Sequence, residues 1–313
     1  MISAFAVTAL VVAGLAVAER VLRRSRPATE HGRYADWRHP GGPLARPANL
    51  LANSRLLRAM CEPLPVPAMA SNIADVVYVN YLVPAHVLAP LAPRGLEIQR
   101  VGRDGKWAVL SFLTYRHGHL GPARPGWLRK FLLSPVQTNW RIYVHEPRTG
   151  LSGVYFLSTA IDQTLYSLGG RLLCEGLPMH LLRQASVDRR ADGCVSVRLD
   201  PGTGSGPEAA GQFRPIPVPE GGPWRPAFST YAEMVAHVVP QDRALSVQGW
   251  RSGVTEQEIS LGIALDDCIP LSGAVSSRSA RSLIDDAEPF SFLVRQVDFR
   301  FEGESRIQEP AEG

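Results

Sequence analysis

"QTNWRIYVHE", residues 137–146, alternates polar and apolar side chains in the manner of a β-strand. With a period of two, Gln137, Asn139, Arg141, Tyr143 and His145 fall on one face, and Trp140, Ile142 and Val144 on the other. A polar face means either solvent or a polar lumen, and the residues alone leave both open. Working outward, Thr149-Gly150 marks a turn and "GVYFLS", 153–158, a partner strand. Upstream, Val76, Val77, Tyr78, Val79 and Tyr81 make a β-rich run ended by Pro84. Strands at 96–101 and 107–116 then flank the hairpin turn Arg103-Asp104-Gly105-Lys106. Downstream, strands are expected at 194–200, 211–213, 244–250, 256–265 and 290–301. Helical spacing joins Ile161, Leu165, Leu168 and Leu172 behind an N-cap at Ser158 or Thr159, and Gly176 with Pro178 stops that helix. "STYAEMVAHVV", 229–239, reads as a second helix capped by Ser229 or Thr230. Many antiparallel strands with few helices predict an α+β, barrel-like domain.

A chain of 313 residues with 45% apolar content can bury a sizeable core. It opens on an uncharged apolar run, 2–18, which with Val21 and Leu22 just reaches across a hydrocarbon layer of ~30 Å. This predicts an N-terminal transmembrane helix. Arginines follow the run, so the positive-inside rule puts the N-terminus outside and the domain in the cytoplasm. The alternative is export after cleavage at Ala16-Val17-Ala18, an A-x-A pattern. From 19 to 58, nine arginines stand against Glu19, Glu30 and Asp36, a local charge of +6 that leaves −2 of the net +4 for the rest. Placed beside a span, such charge suits anionic lipid headgroups or a solvated linker. No basic and aromatic stripe recurs in the folded part, so nucleic acid is not an expected partner.

These features divide the chain into an anchor with its basic flank (1–26), a Pro- and Arg-rich linker (27–70) with a short helix near 50–60, a compact domain (71–306) and a disordered tail (307–313). Cys61, Cys174, Cys194 and Cys268 are scattered, which implies neither a disulfide framework nor a zinc knuckle. The loop "DPGTGSGPEAAG" lacks the P-loop lysine, and there is no G-x-S-x-G elbow. His117 and His119 form H-x-H, a spacing that puts two imidazoles on one strand face, but no third ligand stands at convincing spacing. No metal or other cofactor is expected.

In order along the chain, "YLVPAHVLAPLAPRGLEIQ", "QTNWRIYV", "GVYFLS", "GGRLLCEGLPMH" and "FLVRQVDFRFEG" resemble the YqjF-like branch of the acetoacetate decarboxylase-like superfamily. The resemblance spans about 75–302. It implies a β-barrel or cone-like sheet with outer helices and an interior ligand pocket; the branch brings no established activity. In the decarboxylases, Gly-x-Pro-Lys-Lys follows a helix ending in Gly-Arg, and the first lysine forms a Schiff base with the substrate ketone. Here Gly170-Arg171 precedes Gly176-Leu177-Pro178, and Met179-His180 stand where the two lysines would be. Lys106 and Lys130, the chain's lysines, match neither position, so imine chemistry is not expected.

The resemblance also favours a lumen for the polar face of 137–146, with Asn, Arg and Tyr at Asn139, Arg141 and Tyr143. Gln137 replaces the usual Glu and with it a potential general base. The expected site therefore holds Arg141 and Tyr143 on a carboxylate or enolate, Asn139 orienting it, Met179 in the wall, and His180 moving a proton. Two function classes follow: a non-imine lyase, hydratase or isomerase acting on a small carboxylate or enolisable carbonyl compound, or a membrane-tethered binding module or scaffold without catalysis. Partners expected are that small molecule, a membrane through the N-terminal helix and headgroups through the basic flank; a homo-oligomer is left open.

Overall fold

The structure, a computed structural model, describes residues 4–32, 34–239, 242–248, 253–284 and 286–307. The end of the strand expected at 244–250, and all but the first residue of the expected tail, lie outside them. The strands are β1 (Met69–Pro84), β2 (Glu97–Ile98), β3 (Trp107–Arg116), β4 (Gly121–Pro122), β5 (Val136–Glu146), β6 (Leu151–Ile161) and β7 (Met179–Leu181). They continue with β8 (Gln184–Arg189), β9 (Val195–Asp200), β10 (Ala209–Pro215), β11 (Arg243–Val247), β12 (Val254–Leu261), β13 (Cys268–Ser276) and β14 (Pro289–Ile307). The helices are α1 (Ala4–Ser25), α2 (Ala45–Asn53), α3 (Arg55–Cys61), α4 (Ala85–Leu88), α5 (Thr164–Leu173), α6 (Tyr231–Val238) and α7 (Arg278–Ile284).

One sheet takes all these strands in the order β4-β1-β3-β5-β6-β11-β12-β14-β13-β10-β9-β8, with β2 added on β5 and β7 on β6. This α+β architecture corrects the expected antiparallel barrel: the sheet is mixed and is not a barrel. β7 runs parallel to β6, and β11 meets β6 in parallel through the single pair Ala244–Val154, so no continuous antiparallel wall forms there. The long β14 pairs with β1, β12 and β13 in turn, and beyond it β13, β10, β9 and β8 return over the sheet, so that Val187, Val197 and Phe213 share a buried cluster with Phe112 and Trp140.

Both faces of the sheet are covered. Phe112, Trp140, Ile142 and Leu157 pack in one apolar cluster, while Tyr115, Tyr143, Phe156, Met234 and Phe292 pack in another. The alternation in 137–146 therefore separates two buried layers rather than core from water: Gln137, Asn139, Arg141 and Tyr143 are all buried. Only His145 near the strand end is partly exposed, 3.5 Å from the carboxylate of Glu97.

The expected transmembrane helix is also corrected. Among the described residues no helix is long and apolar enough to cross a membrane. The side chains described in α1 begin at Val11 and include Glu19, Arg20, Arg23 and Arg24. Glu19 is turned to the protein, where it accepts from the N–H of Arg55 at 3.1 Å and of Leu56 at 2.8 Å at the start of α3.

The segment 27–70, read as a linker, packs onto α5. Trp37 donates through Nε1 to Ser167 Oγ at 3.2 Å, and the guanidinium of Arg171 donates to the carbonyls of Ala35 and Ala52. The helix expected behind Ser158 or Thr159 starts later, because β6 continues to Ile161 and Gln163 takes the N-cap position. α6 keeps its expected cap: Thr230 Oγ1 accepts from Glu233 N at 3.0 Å, and the Glu233 carboxylate accepts from Ser229 N, one residue before the cap, at 2.7 Å.

Candidate functional site

Adjacent strands place directly opposed residues on the same face of a sheet. β3 and β5 pair Tyr115 with Gln137, β5 and β6 pair Asn139 with Thr159, and β6 and β7 pair Thr159 with Met179. That row brings Tyr115, Gln137, Asn139 and Met179 to one interior cavity of about 210 Å³, closed by α5, β12 and β14. Gly170 of α5 lies against Met179, and a Cβ there would meet the Met179 side chain in ordinary van der Waals contact at 3.5 Å. Most of the wall is apolar, with Leu120, Phe156, Ile161, Leu177, Ile259 and Phe299 among the contributors. None of the described residues lining it is an arginine, lysine, aspartate or glutamate.

Polar groups in this wall form a directed chain. Gln137 Nε2 donates to Asn139 Oδ1 at 2.8 Å, and Asn139 Nδ2 donates to Tyr115 Oη at 3.0 Å. Gln137 Oε1 must then accept from His117 Nε2, 3.0 Å away, so that nitrogen carries the proton. Two capacities are left over. The Tyr115 hydroxyl, having accepted, still has its proton to donate. His117 Nδ1 is a buried lone-pair nitrogen with no hydrogen-bond partner. Burial holds the His117 imidazole neutral, with its pKa pushed down to about 4, and raises that of Tyr115. A neutral hydroxyl and a neutral imidazole thus belong to one wall of an apolar chamber, the imidazole Nδ1 itself being covered.

Another wall carries Cys174 and Gln257. The Cys174 thiol donates to Glu304 Oε1 at 2.7 Å, and the Gln257 amide donates to both Cys174 Sγ and Glu304. Glu304 also accepts from the N–H groups of Glu175 and Gly176, which fixes the loop after α5.

Of the residues expected at the site, Asn139 and Met179 line this cavity; Arg141, Tyr143 and His180 do not. Arg141 and Tyr143 follow Asn139 on the same strand face but lie beneath α6, where both donate to the carbonyl of Val238, at 3.2 and 3.0 Å. The Arg141 guanidinium stands 5.7 Å from the ring centres of both Tyr78 and Tyr143, and no carboxylate among the described residues pairs with it. Strand alternation carries His180 to the opposite side of the sheet from Met179. There it borders a groove of about 460 Å³ with Trp140, and its Nδ1 lies 2.8 Å from Ser205 Oγ. Desolvation, with the charges of Arg171 and Arg58, pushes its pKa down to about 3.

His117 and His119 do not share a face. β3 ends at Arg116, and His119 adopts a φ of 55°, which breaks the alternation. Among the described residues no cluster of three metal-ligating side chains occurs. Sequence reasoning missed Tyr115, His117 as a cavity residue, Cys174 and Gln257. The signal available for Tyr115 was its place in a ten-residue strand beside 137–146.

The family model of DUF2071, described as an uncharacterized conserved protein, matches residues 71–217. No curated protein matches the chain. Among solved structures, the enduracididine biosynthesis enzyme MppR with HEPES buffer bound is similar at 15% identity and a TM-score of 0.53, covering 78% of this chain and 88% of its own. The acetoacetate decarboxylase of Legionella pneumophila subsp. pneumophila gives 12% identity, a TM-score of 0.53 and coverages of 78% and 88%. An acetoacetate decarboxylase-like enzyme from Sphingomonas wittichii RW1 gives 10%, 0.53, 78% and 94%. The chain therefore has the acetoacetate decarboxylase-like fold.

Proposed function

We propose that this chain is a YqjF-like member of the acetoacetate decarboxylase-like superfamily that binds a neutral, largely apolar carbonyl compound and catalyses its enolisation without an imine. The observation that carries the reading is the directed chain from His117 through Gln137 and Asn139 to Tyr115, which leaves one donor and one base in an uncharged cavity. Tyr115 Oη–H donates to the substrate carbonyl oxygen, and His117 Nδ1 takes a proton from the adjacent carbon. The C–H electron pair moves into the new C=C bond as the oxygen gains negative charge, and return of the proton to the same or the other carbon gives exchange or isomerisation.

The wall carries no cation to balance a carboxylate, so of the two substrate classes expected from the sequence the carbonyl compound is favoured over the small acid. At about 30 Å³ per water-sized group, 210 Å³ admits roughly seven such groups, which suits a short-chain ketone. Met179 in place of an amine keeps imine chemistry out of the scheme.

The test is deuterium incorporation next to the carbonyl of heptan-2-one in heavy water, followed by NMR. The wild-type rate should exceed buffer and fall at least tenfold in His117→Gln and Tyr115→Phe. Saturable binding of the ketone with no exchange would leave the binding-module reading, and neither binding nor exchange by any neutral ketone of this size would defeat both.

A further inference from the structure

The chain between β3 and β5 leaves the sheet as a braced excursion. Its stem is held by His117 N to Pro135 O at 2.8 Å and Leu120 N to Leu133 O at 3.1 Å. Gly121 lets the Leu132 side chain pack against β4, a place that a Cβ would occupy. At the tip, the 3₁₀ turn Gly126–Phe131 presents large apolar side chains to solvent, Trp127 62% exposed and Phe131 80%, and Leu133 just beyond it is 56% exposed. A braced loop that holds two aromatic rings outward is a contiguous apolar patch, the kind of surface that marks an interaction site.

Two further observations say what covers it. From 117 to 135 the sequence has Arg124, Arg129 and Lys130 and no acidic residue. Arg124 and Lys130 are exposed, and Arg129 is held by Asn72 Oδ1 at 2.7 Å, with Asp298 on the far side of that asparagine. Aromatic and aliphatic tips ringed by cations match the boundary between acyl chains and anionic headgroups. The patch is also continuous with the mouth of the cavity. Ala123 N donates to Ala68 O at 2.8 Å beside Pro67 and Met69, and Tyr166 Oη donates to Leu120 O at 2.7 Å. Pro67, Met69, Leu120 and Tyr166 all line the cavity, as does Leu165, which is 80% exposed at its rim.

We infer that the loop 117–135 docks on an anionic lipid surface and that the cavity receives its apolar ligand from that surface. The contact is interfacial: the tip enters the headgroup layer and the loop does not cross it. The second half of the inference rests on the reading of the cavity as a ligand site; the docking itself does not.

The experiment uses the full chain with phosphatidylcholine vesicles, with and without phosphatidylserine, containing lipid brominated on its acyl chains near the headgroups. Tryptophan fluorescence should be quenched on phosphatidylserine vesicles, and Trp127→Phe should remove most of that quenching. Because the quencher reads the environment of Trp127 itself, contact made by any other part of the chain does not imitate the result. The double variant Trp127→Ala/Phe131→Ala should lower vesicle partitioning by an order of magnitude or more, since it withdraws two large apolar side chains. Circular dichroism matching the wild type shows that it folds.

Quenching unchanged in Trp127→Phe, or equal partitioning of the double variant, would overturn the docking. So would a wild-type dimer, seen by sedimentation, that the double variant converts to monomer without any vesicle binding, because the patch would then cover a second copy. Heptan-2-one binding measured without vesicles separates the two readings. Ketone binding without quenching rejects the docking and keeps the cavity; quenching without ketone binding keeps the docking and rejects the cavity as its ligand site.

Discussion

Acidification from pH 7 to pH 5 should remove about 4 kcal/mol of folding stability through two histidines alone. His117 and His180 are fully buried, and their pKa values are pushed down to about 4 and about 3 from an ordinary 6.5. The sign follows from proton counting. Below pH 6.5 the unfolded chain binds a proton at each imidazole, while the folded chain binds none until about pH 4. Unfolding therefore takes up protons across that window, and stability falls as pH falls. Each pH unit costs 1.36 kcal/mol per site, so the 1.5 units between 6.5 and 5 cost about 2 kcal/mol per histidine. Burial lowers His31 and His237 as well, adding to the same trend. Glu146, held at about 2 by its hydrogen bonds to Thr149 and Arg148 against the cost of burial, stays ionised in the folded chain and adds only a small loss of the same sign near pH 5, where the unfolded carboxyl begins to take up protons. A domain with total stability of about 5–15 kcal/mol would feel this loss strongly. Urea unfolding at pH 7, 6 and 5 measures it, with His117→Gln and His180→Gln each flattening the dependence by about 2 kcal/mol. A double variant with the same pH dependence as the wild type would refute the argument, since it would mean that these imidazoles are not buried in neutral form.

Two further outcomes test the site by substitution. Met179→Lys should place an amine in the uncharged cavity, where desolvation drives its pKa well below 10.4 and, at pH 7, costs roughly 5 kcal/mol of stability. Borohydride with heptan-2-one should then trap a reduced adduct at residue 179 by mass spectrometry, absent from the wild type; no adduct in a folded variant would show that Met179 does not face the ligand. Arg141→Met should leave stability within about 1 kcal/mol of the wild type or raise it, because a buried guanidinium without a carboxylate gives way to an apolar side chain of similar length. The variant should also keep ketone affinity within about twofold, measured by calorimetry, and a large loss of affinity would return Arg141 to the ligand.

Strand positions were legible because alternation survives burial on both faces when the two buried layers differ in polarity. β3 falls where its sequence puts it, and β5 differs by one residue, Val136. β13 and β8 went unread: "CIPLSGAVS" carries a proline and a glycine inside the strand, and "QASVDR" is too short and polar to stand out. The packing of 27–70 was not legible, for a physical reason. Proline and arginine are linker composition, yet buried Arg55 and Arg58 place their guanidinium groups 4.1 and 4.8 Å from the centre of the Tyr34 ring, and Arg171 binds carbonyls of the same segment. Arginine used as a buried donor to backbone looks, in a sequence, the same as arginine used for charge.

The site was legible by strand and not by residue. Of the face that 137–146 was read to turn to a lumen, Gln137 and Asn139 line the candidate cavity, but the same face continues past it under α6, so period two alone could not say where such a lumen ends. The pair Met179-His180 shows the converse. Read as a motif they are neighbours in one pocket; read as consecutive residues of β7 they must point to opposite sides of the sheet. In the proposed enolisation the proton-transfer group comes instead from the end of β3, because the residue opposite Gln137 is Tyr115 and His117 lies two further on. Gln137 in place of a carboxylate fits that arrangement. An amide can accept from His117 and donate to Asn139 at once, whereas an ionised glutamate has no N–H to pass the hydrogen-bond direction on to Tyr115. The residue that removes a carboxylate base from the sequence reading is the one that fixes the tautomer of His117, the base of the proposed reaction.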